Sequence, residues 1–248
     1  MTVIYLSPHL DDVVFSCGGW IWEQTQQGQE VEIWTICAGD PPQGSLSDLA
    51  AALHHNWQLG QEAVQARRQE DQWACKLLGA SPRHFPFLDC IYRTNPASEP
   101  FYQTVEDLFG GLDPQETDLI GSVSERLAAD LPGDAEVVAP LGIGNHVDHD
   151  MVRKAASRLN RPLKYYADYP YLRDREGQQI VRFLEESPDW RAQVLEISAQ
   201  GMAKWVEAAL QYGSQISSFW SDPAQLEGEI RQLWEISGGF MLWEALED

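Results

Sequence analysis

Strand and helix signals alternate along this 248-residue chain, and that alternation predicts an α/β fold with a mostly parallel sheet and helices on both faces. Two further observations point the same way. The predicted strands are short, continuous apolar runs of the kind buried inside a parallel sheet. Apolar side chains make up 44% of the chain and charged ones 22%, an ordinary globular composition at a length that can bury a full core. The expectation is one domain over residues 1–248, a Rossmann-like three-layer sandwich.

Each element has its own signal. Val3-Ile4-Tyr5-Leu6 reads as a buried strand stopped by Ser7-Pro8. Residues 13–27 read as a helix, with Gly18-Gly19 allowing close approach to the sheet and Gly28 fitting its C-terminal stop. Residues 30–38, carrying Val31, Ile33, Trp34 and Ile36, form the second strand, broken by Gly39-Asp40-Pro41-Pro42. A polar loop is expected over 40–56, with His54-His55 as a solvated pair. Helical spacing of Ala63, Ala66, Ala74, Leu77 and Leu78 marks residues 60–79. Residues 84–88 look like a third strand ending at Asp89, and the aperiodic stretch 90–116 is long enough to suggest function. A helix over 117–131, a fourth strand over 135–140 closed by proline, a helix over 147–159 and a fifth strand over 163–167 follow. Beyond Tyr171 the chain is charged, with a strand-like piece at 194–197 and helices over 199–212 and 223–236.

Charge excludes one class of partner. Seventeen Lys plus Arg against 38 Asp plus Glu give −21, which repels phosphate backbones and anionic lipid, so nucleic acid is not expected as a partner. No apolar run is long enough to span a bilayer and no leader-like segment opens the chain, so no membrane insertion and a cytoplasmic location are expected. Cys17, Cys37, Cys75 and Cys90 are widely spaced and read as small core residues in a reducing compartment. Tryptophans Trp205, Trp220, Trp234 and Trp243 crowd the last fifth; core packing is the first reading, the interface of a homo-oligomer the second.

Two strand ends carry chemistry. His9, Asp11 and Asp12 follow the first strand; His146, Asp148 and His149 follow the fourth, after a glycine-bearing turn. In open α/β sheets ligands bind at the carboxyl ends of strands. Neutral imidazole and carboxylate oxygen both suit Zn²⁺. Capping of the first helix accounts for one aspartate but neither the second nor His9. A dinucleotide site needs a Gly-rich turn after the first strand, and Pro8-His9-Leu10-Asp11-Asp12 is the opposite of one.

Ser7-Pro8-His9-Leu10-Asp11-Asp12 together with Gly144-Asn145-His146-Val147-Asp148-His149 resembles the paired motifs of the PIG-L / LmbE-like zinc-dependent N-deacetylases, in particular a bacterial subgroup reading SPHLDD. Arg67 and Glu70, Asp89 to Arg93, and Lys204 to Gln215 fit as well, so the resemblance spans residues 2–215. It implies a divalent metal, Zn²⁺ with Fe²⁺ as the alternative, held by His9, Asp12 and His149, three ligands that leave a position for water. Asp11 is then the general base. His146 stabilises the oxyanion or protonates the leaving amine, with Asp148 holding its ring. Arg67 is implied to contact substrate, against an intrahelical pair with Glu70. Asp89, Tyr92 and Arg93 are implied to hold sugar hydroxyls, against a solvated-loop reading for Tyr92 and Arg93.

Two departures stand out. A glutamate common after the two aspartates is Val13 here, and a tyrosine two residues before the first histidine of the second motif is Gly144. The implied reaction is removal of an acyl group, acetyl first, from an amino sugar or an N-acetylglucosamine-like conjugate. A non-catalytic sugar-binding relative and a hydrolase of another acyl amide or ester are the alternatives.

Overall fold

The computed structural model describes residues 1–237 and 239–246. Strands β1 (Val3–Ser7), β2 (Val31–Thr35), β3 (Ser81–His84), β4 (Glu136–Pro140), β5 (Lys164–Tyr166), β6 (Trp190–Glu196) and β7 (Gly239–Ala245) form one sheet in the order β3-β2-β1-β4-β5-β7-β6. The first five are parallel; β7 runs antiparallel to both β5 and β6. β1 is fully buried from Val3 to Leu6, as a central parallel strand must be.

Helices cover both faces. On one side α1 (Asp12–Gln26), α3 (Ala63–Leu78), α7 (Ala199–Ala209) and α9 (Pro223–Ser237) pack around Val3, Tyr5, Phe15 and Trp205. On the other, α4 (Thr117–Asp130), α5 (Val147–Ala156) and α6 (Arg175–Glu186) enclose Ile4, Leu6, Trp34 and Val137. A third apolar group, including Leu10, Trp57, Tyr92 and Tyr102, lies among the loops at the sheet's carboxyl edge. Gly18 serves a helix–helix contact instead of a helix–sheet one: a Cβ there would lie 2.6 Å from Trp205, whose indole N–H donates to the Val14 carbonyl at 2.8 Å.

Several expectations are corrected. The polar loop contains helix α2 (Asp48–Asn56), capped by Ser47, whose hydroxyl accepts from Ala50 N at 3.1 Å. Strand β3 ends at His84 instead of beginning there; Pro86 has no N–H to continue the ladder. The helix expected over 199–212 ends at Ala209 and a separate α8 (Gly213–Phe219) follows. Helix α6 and strand β7 lie where no element was expected. Trp205, Trp220 and Trp243 are core residues, and all four cysteines are free and buried. Among the described residues, no helix is long and apolar enough to cross a membrane.

Candidate active site

β1 and β4 are hydrogen-bonded neighbours, with Val3 opposite Glu136. From β1 the chain crosses to β2 on one side while β4 lies on the other, so the carboxyl ends of β1 and β4 flank the switch point where open sheets bind ligands. Both polar motifs emerge there. Asp12 Oδ2 accepts from His9 N at 2.7 Å and Ser7 Oγ accepts from Val13 N at 3.3 Å. Neither aspartate side chain caps α1, so the capping explanation fails for both. After β4, Gly142, Gly144 and Asn145 adopt φ of +77, +91 and +57°, turning the chain sharply into α5. His146 is the N-cap of α5: its Nδ1 accepts from Asp148 N at 3.2 Å, which leaves Nε2 to carry the ring proton.

The two motifs meet. Ring centroids lie 5.5 Å apart for His9–His149, 4.9 Å for His9–His146 and 5.4 Å for His146–His149. Asp12 stands between two of them, Oδ2 3.3 Å from His9 Nδ1 and Oδ1 3.3 Å from His149 Nε2. Each of these imidazoles is held from behind by a carboxylate. His149 Nδ1–H donates to Asp168 Oδ1 at 2.6 Å, and His9 Nε2–H donates to Asp148 Oδ2 at 2.9 Å. His149 Nε2 is fully buried with no hydrogen-bond partner. A ring nitrogen without a hydrogen bond, facing a carboxylate oxygen at 3.3 Å and with the far side of its ring fixed by another carboxylate, is the arrangement of a metal-ligating histidine. The donor set therefore fits a divalent metal, with His9, His146 and His149 each placing one nitrogen within 4.8 Å of the others. Asp148 is a poorer ligand because Arg93, Cys90 N and His9 already occupy its oxygens.

Electrostatics agrees with a cation at this point. Burial alone would lower His149, but Asp12 and Asp168 outweigh it and hold the ring at about 9. Burial would raise Asp12, yet His149 and His9 hold it well below the usual carboxylate range. Asp11 behaves differently: burial and then the Asp12 charge push it up to about 7, against the pull of Arg67. Burial and the neighbouring His9 press His146 well below its ordinary value, so it is a neutral donor.

A cavity of about 210 Å³ opens over the cluster, lined by Asp11, Arg67, Asp89 and His146 and walled by Trp57, Phe109, Tyr171 and Phe219. The Arg67 guanidinium faces this cavity, 3.7 Å from Asp11 Oδ1, 3.8 Å from Asp89 Oδ2 and 4.7 Å above the Trp57 ring. The intrahelical alternative is excluded, since Glu70 instead accepts from Ser214 N and Oγ at 2.9 and 2.6 Å. Asp89 Oδ2 also lies 3.8 Å from His9 Nε2.

Four expectations about side-chain roles are corrected. The Asp148 carboxylate holds the ring of His9, not that of His146, because α5 directs it toward Cys90 N and Arg93. Arg93 faces neither solvent nor the cavity; it is 6% exposed and ion-paired with Asp148 and Glu116. Tyr92 is also buried, its hydroxyl donating to His54 Nε2 at 2.6 Å, so His54 belongs to the interior as well. Two site residues escaped the sequence reading. Asp168 sits just past β5, where a carboxylate at another strand end was a readable signal. Tyr171 fills the room beside Gly144, where a Cβ would lie 2.7 Å from Tyr171 Cγ, and its ring packs 5.4 Å from that of His149.

Known proteins resemble this chain in sequence and in fold. Two proteins named 2'-N-acetylparomamine deacetylase are similar over most of the chain. The one from Niallia circulans is 32% identical over 98% of this chain and 88% of its own length. The one from Streptomyces fradiae is 28% identical over 74% and 62%. The structure of the zinc inhibited form of teicoplanin deacetylase Orf2 superposes with a TM-score of 0.83 at 27% identity, covering 100% of this chain and 99% of that one. The profile of the PIG-L family, described as GlcNAc-PI de-N-acetylase, matches residues 4–160, a stretch that holds both histidine–aspartate motifs, and the chain belongs to that family.

Proposed function

We propose that this protein is a metal-dependent hydrolase that removes an N-acetyl group from an amino-sugar glycoside. One observation carries the reading: two imidazoles backed by buried carboxylates converge on Asp12, with the unligated carboxylate of Asp11 beside them at the floor of a cavity. His9, Asp12 and His149 would hold the metal, Zn²⁺ first. When bound, such a metal lowers the pKa of water and polarises the amide carbonyl.

The chain's own residues supply the remaining steps. Asp11, whose carboxyl burial and the Asp12 charge push up, takes the proton from the attacking water as the C–O bond forms and returns it to the leaving nitrogen as the C–N bond breaks, releasing acetate and the free amine. Arg67 keeps Asp11 and Asp89 oriented through its two terminal guanidinium nitrogens. His146 presents Nε2–H to the developing oxyanion; its Nδ1 is engaged by the helix start, which fixes the ring. Asp89 accepts from a sugar hydroxyl. Phe109, Tyr171 and Phe219 give the sugar ring an apolar wall and exclude water from one side.

The relatives' names direct the substrate class toward N-acetylated amino-sugar glycosides such as acetylparomamine. A net charge of −21 suits a substrate that carries further ammonium groups. The test is amine release from a panel of N-acetylated aminoglycosides and simple N-acetylhexosamines, with and without a chelator. Chelator-sensitive release from the glycosides is expected. Release that a chelator leaves untouched, or none from any N-acetyl sugar, overturns the proposal.

A further inference from the structure

The irregular segment 90–116 brings Arg93 and Glu116 to the back of the metal cluster, and nothing in the reaction above uses them. We propose that this buried ion pair is a positioning device: acting through Asp148, it fixes the tautomer and orientation of His9 and so sets the affinity of the site for its divalent metal. The proposal rests on the reading of His9 as a ligand.

The chain of contacts is continuous. Arg93 Nε donates to Glu116 Oε1 at 2.6 Å and Nη2 to Glu116 Oε2 at 3.3 Å, a two-pronged pair. Nη1 donates to Asp148 Oδ1 and to the Leu88 carbonyl, the latter at 3.2 Å. Asp148 Oδ2 takes Cys90 N–H and His9 Nε2–H, each at 2.9 Å. With Nε2–H held by Asp148, His9 turns its other ring nitrogen, Nδ1, toward Asp12 Oδ2 at 3.3 Å. Tyr102 closes the far end, donating to Glu116 Oε2 at 2.6 Å, with the Arg93 guanidinium 5.6 Å from its ring centroid.

Burial explains why such a device is needed. Asp148 is 0% exposed, Arg93 6% and Glu116 6%, so every charge here has lost its water. Buried ion pairs seldom repay their desolvation in net stability, and their better-attested use is to specify one geometry. Without Glu116 the Nε and Nη2 donors of Arg93 are orphaned, and the guanidinium gains a reason to leave Asp148. Asp148 then loses the partner on Oδ1 that keeps Oδ2 aimed at His9. Partners behind a metal-ligating histidine typically change metal affinity by about 10–100-fold when lost.

The experiment measures Zn²⁺ affinity by competition with a chromogenic chelator, and the visible spectrum of the Co²⁺-substituted protein, for the full chain and for Glu116→Gln, Arg93→Lys, Asp148→Asn and His9→Ala. Melting of the metal-stripped proteins is recorded in parallel. Expected are a complete loss for His9→Ala, a fall of about 10–100-fold for Asp148→Asn and a smaller fall with an altered Co²⁺ spectrum for Glu116→Gln. Glu116→Asp is expected to recover affinity that Glu116→Gln loses. Should His9→Ala lose metal while Glu116→Gln keeps wild-type affinity and spectrum, the positioning role is wrong and the site reading stands. Should His9→Ala bind as well as wild type, both fall. A lowered melting temperature with unchanged affinity in Glu116→Gln and Arg93→Lys means that the pair is structural only.

Discussion

His149 Nδ1–H and Asp168 Oδ1 meet at 2.6 Å across 19 residues of sequence, and the other oxygen of Asp168 accepts from Ile143 N at 2.9 Å. One fully buried carboxylate thus ties the end of β5 both to the turn after β4 and to the ring that faces Asp12. Asp168→Asn leaves side-chain volume intact but replaces an ionised acceptor with a neutral one. Zn²⁺ affinity is expected to fall about 10–100-fold, read by chelator competition. Unchanged affinity would show that His149 does not depend on Asp168 for its orientation.

Asp11 and Asp12 are adjacent, yet their surroundings separate them. Asp12 is held ionised by two imidazoles, while Asp11 is drawn up to about 7 by burial and by Asp12 itself. Asp11→Asn is therefore expected to retain bound metal and to lower kcat by about 10²–10⁴-fold. Asp12→Asn should lose metal as well as turnover. The metal content of each purified variant, measured beside its kcat, distinguishes them; the reverse pattern would exchange the two roles.

How much of this was legible beforehand follows from what a sequence can encode locally. The strands β1, β2, β4 and β5 were visible as apolar runs with sharp stops, and His9, Asp12, His146 and His149 as polar groups at two strand ends. That β1 and β4 are neighbours is a property of sheet order, which no local pattern states. Arg93 and Tyr92 look like loop residues because their partners lie elsewhere: Asp148 and Glu116 for one, His54 for the other. β7 was missed because its partners β5 and β6 are joined to it only by long-range pairing. Asp168 alone among the missed site residues followed a rule already in use, a carboxylate just beyond a predicted strand.

Gly144 gives up a position that a larger side chain could have used, and Tyr171 takes the space. A Cβ at 144 would press on the Tyr171 ring at 2.7 Å, at a backbone φ of +91° that disfavours any side chain. Gly144→Ala is expected to displace Tyr171 from the cavity wall, raising KM more than it lowers metal affinity, with a stability loss of roughly 1–2 kcal/mol. Tyr171→Ala combined with Gly144→Ala should restore part of the stability by removing the clash. Strictly additive losses in this double-mutant cycle would show that the two positions do not interact.

The wall that carries Tyr171 is anchored from outside by one carboxylate, and that anchor should titrate. Glu229 Oε2 accepts from Tyr169 Oη at 3.1 Å, from Trp220 Nε1 at 2.9 Å and from Arg173, while Oε1 accepts from Gln225 Nε2 at 2.8 Å. Burial alone would raise this carboxyl, but the hydrogen bonds from Arg173, Trp220 and Gln225 outweigh it and hold it below its ordinary range. A carboxyl depressed in the folded state stabilises fully above its unfolded pKa of about 4.3, and the contribution disappears as pH falls through the lower folded value. The stability difference between wild type and Glu229→Gln is therefore expected to be roughly 1–2 kcal/mol near pH 7 and to shrink steadily below about pH 4. Urea unfolding of both proteins across this range measures it. A difference that stays constant down to the acid limit would mean that shape and not charge holds the Tyr169–Arg173 turn against α9.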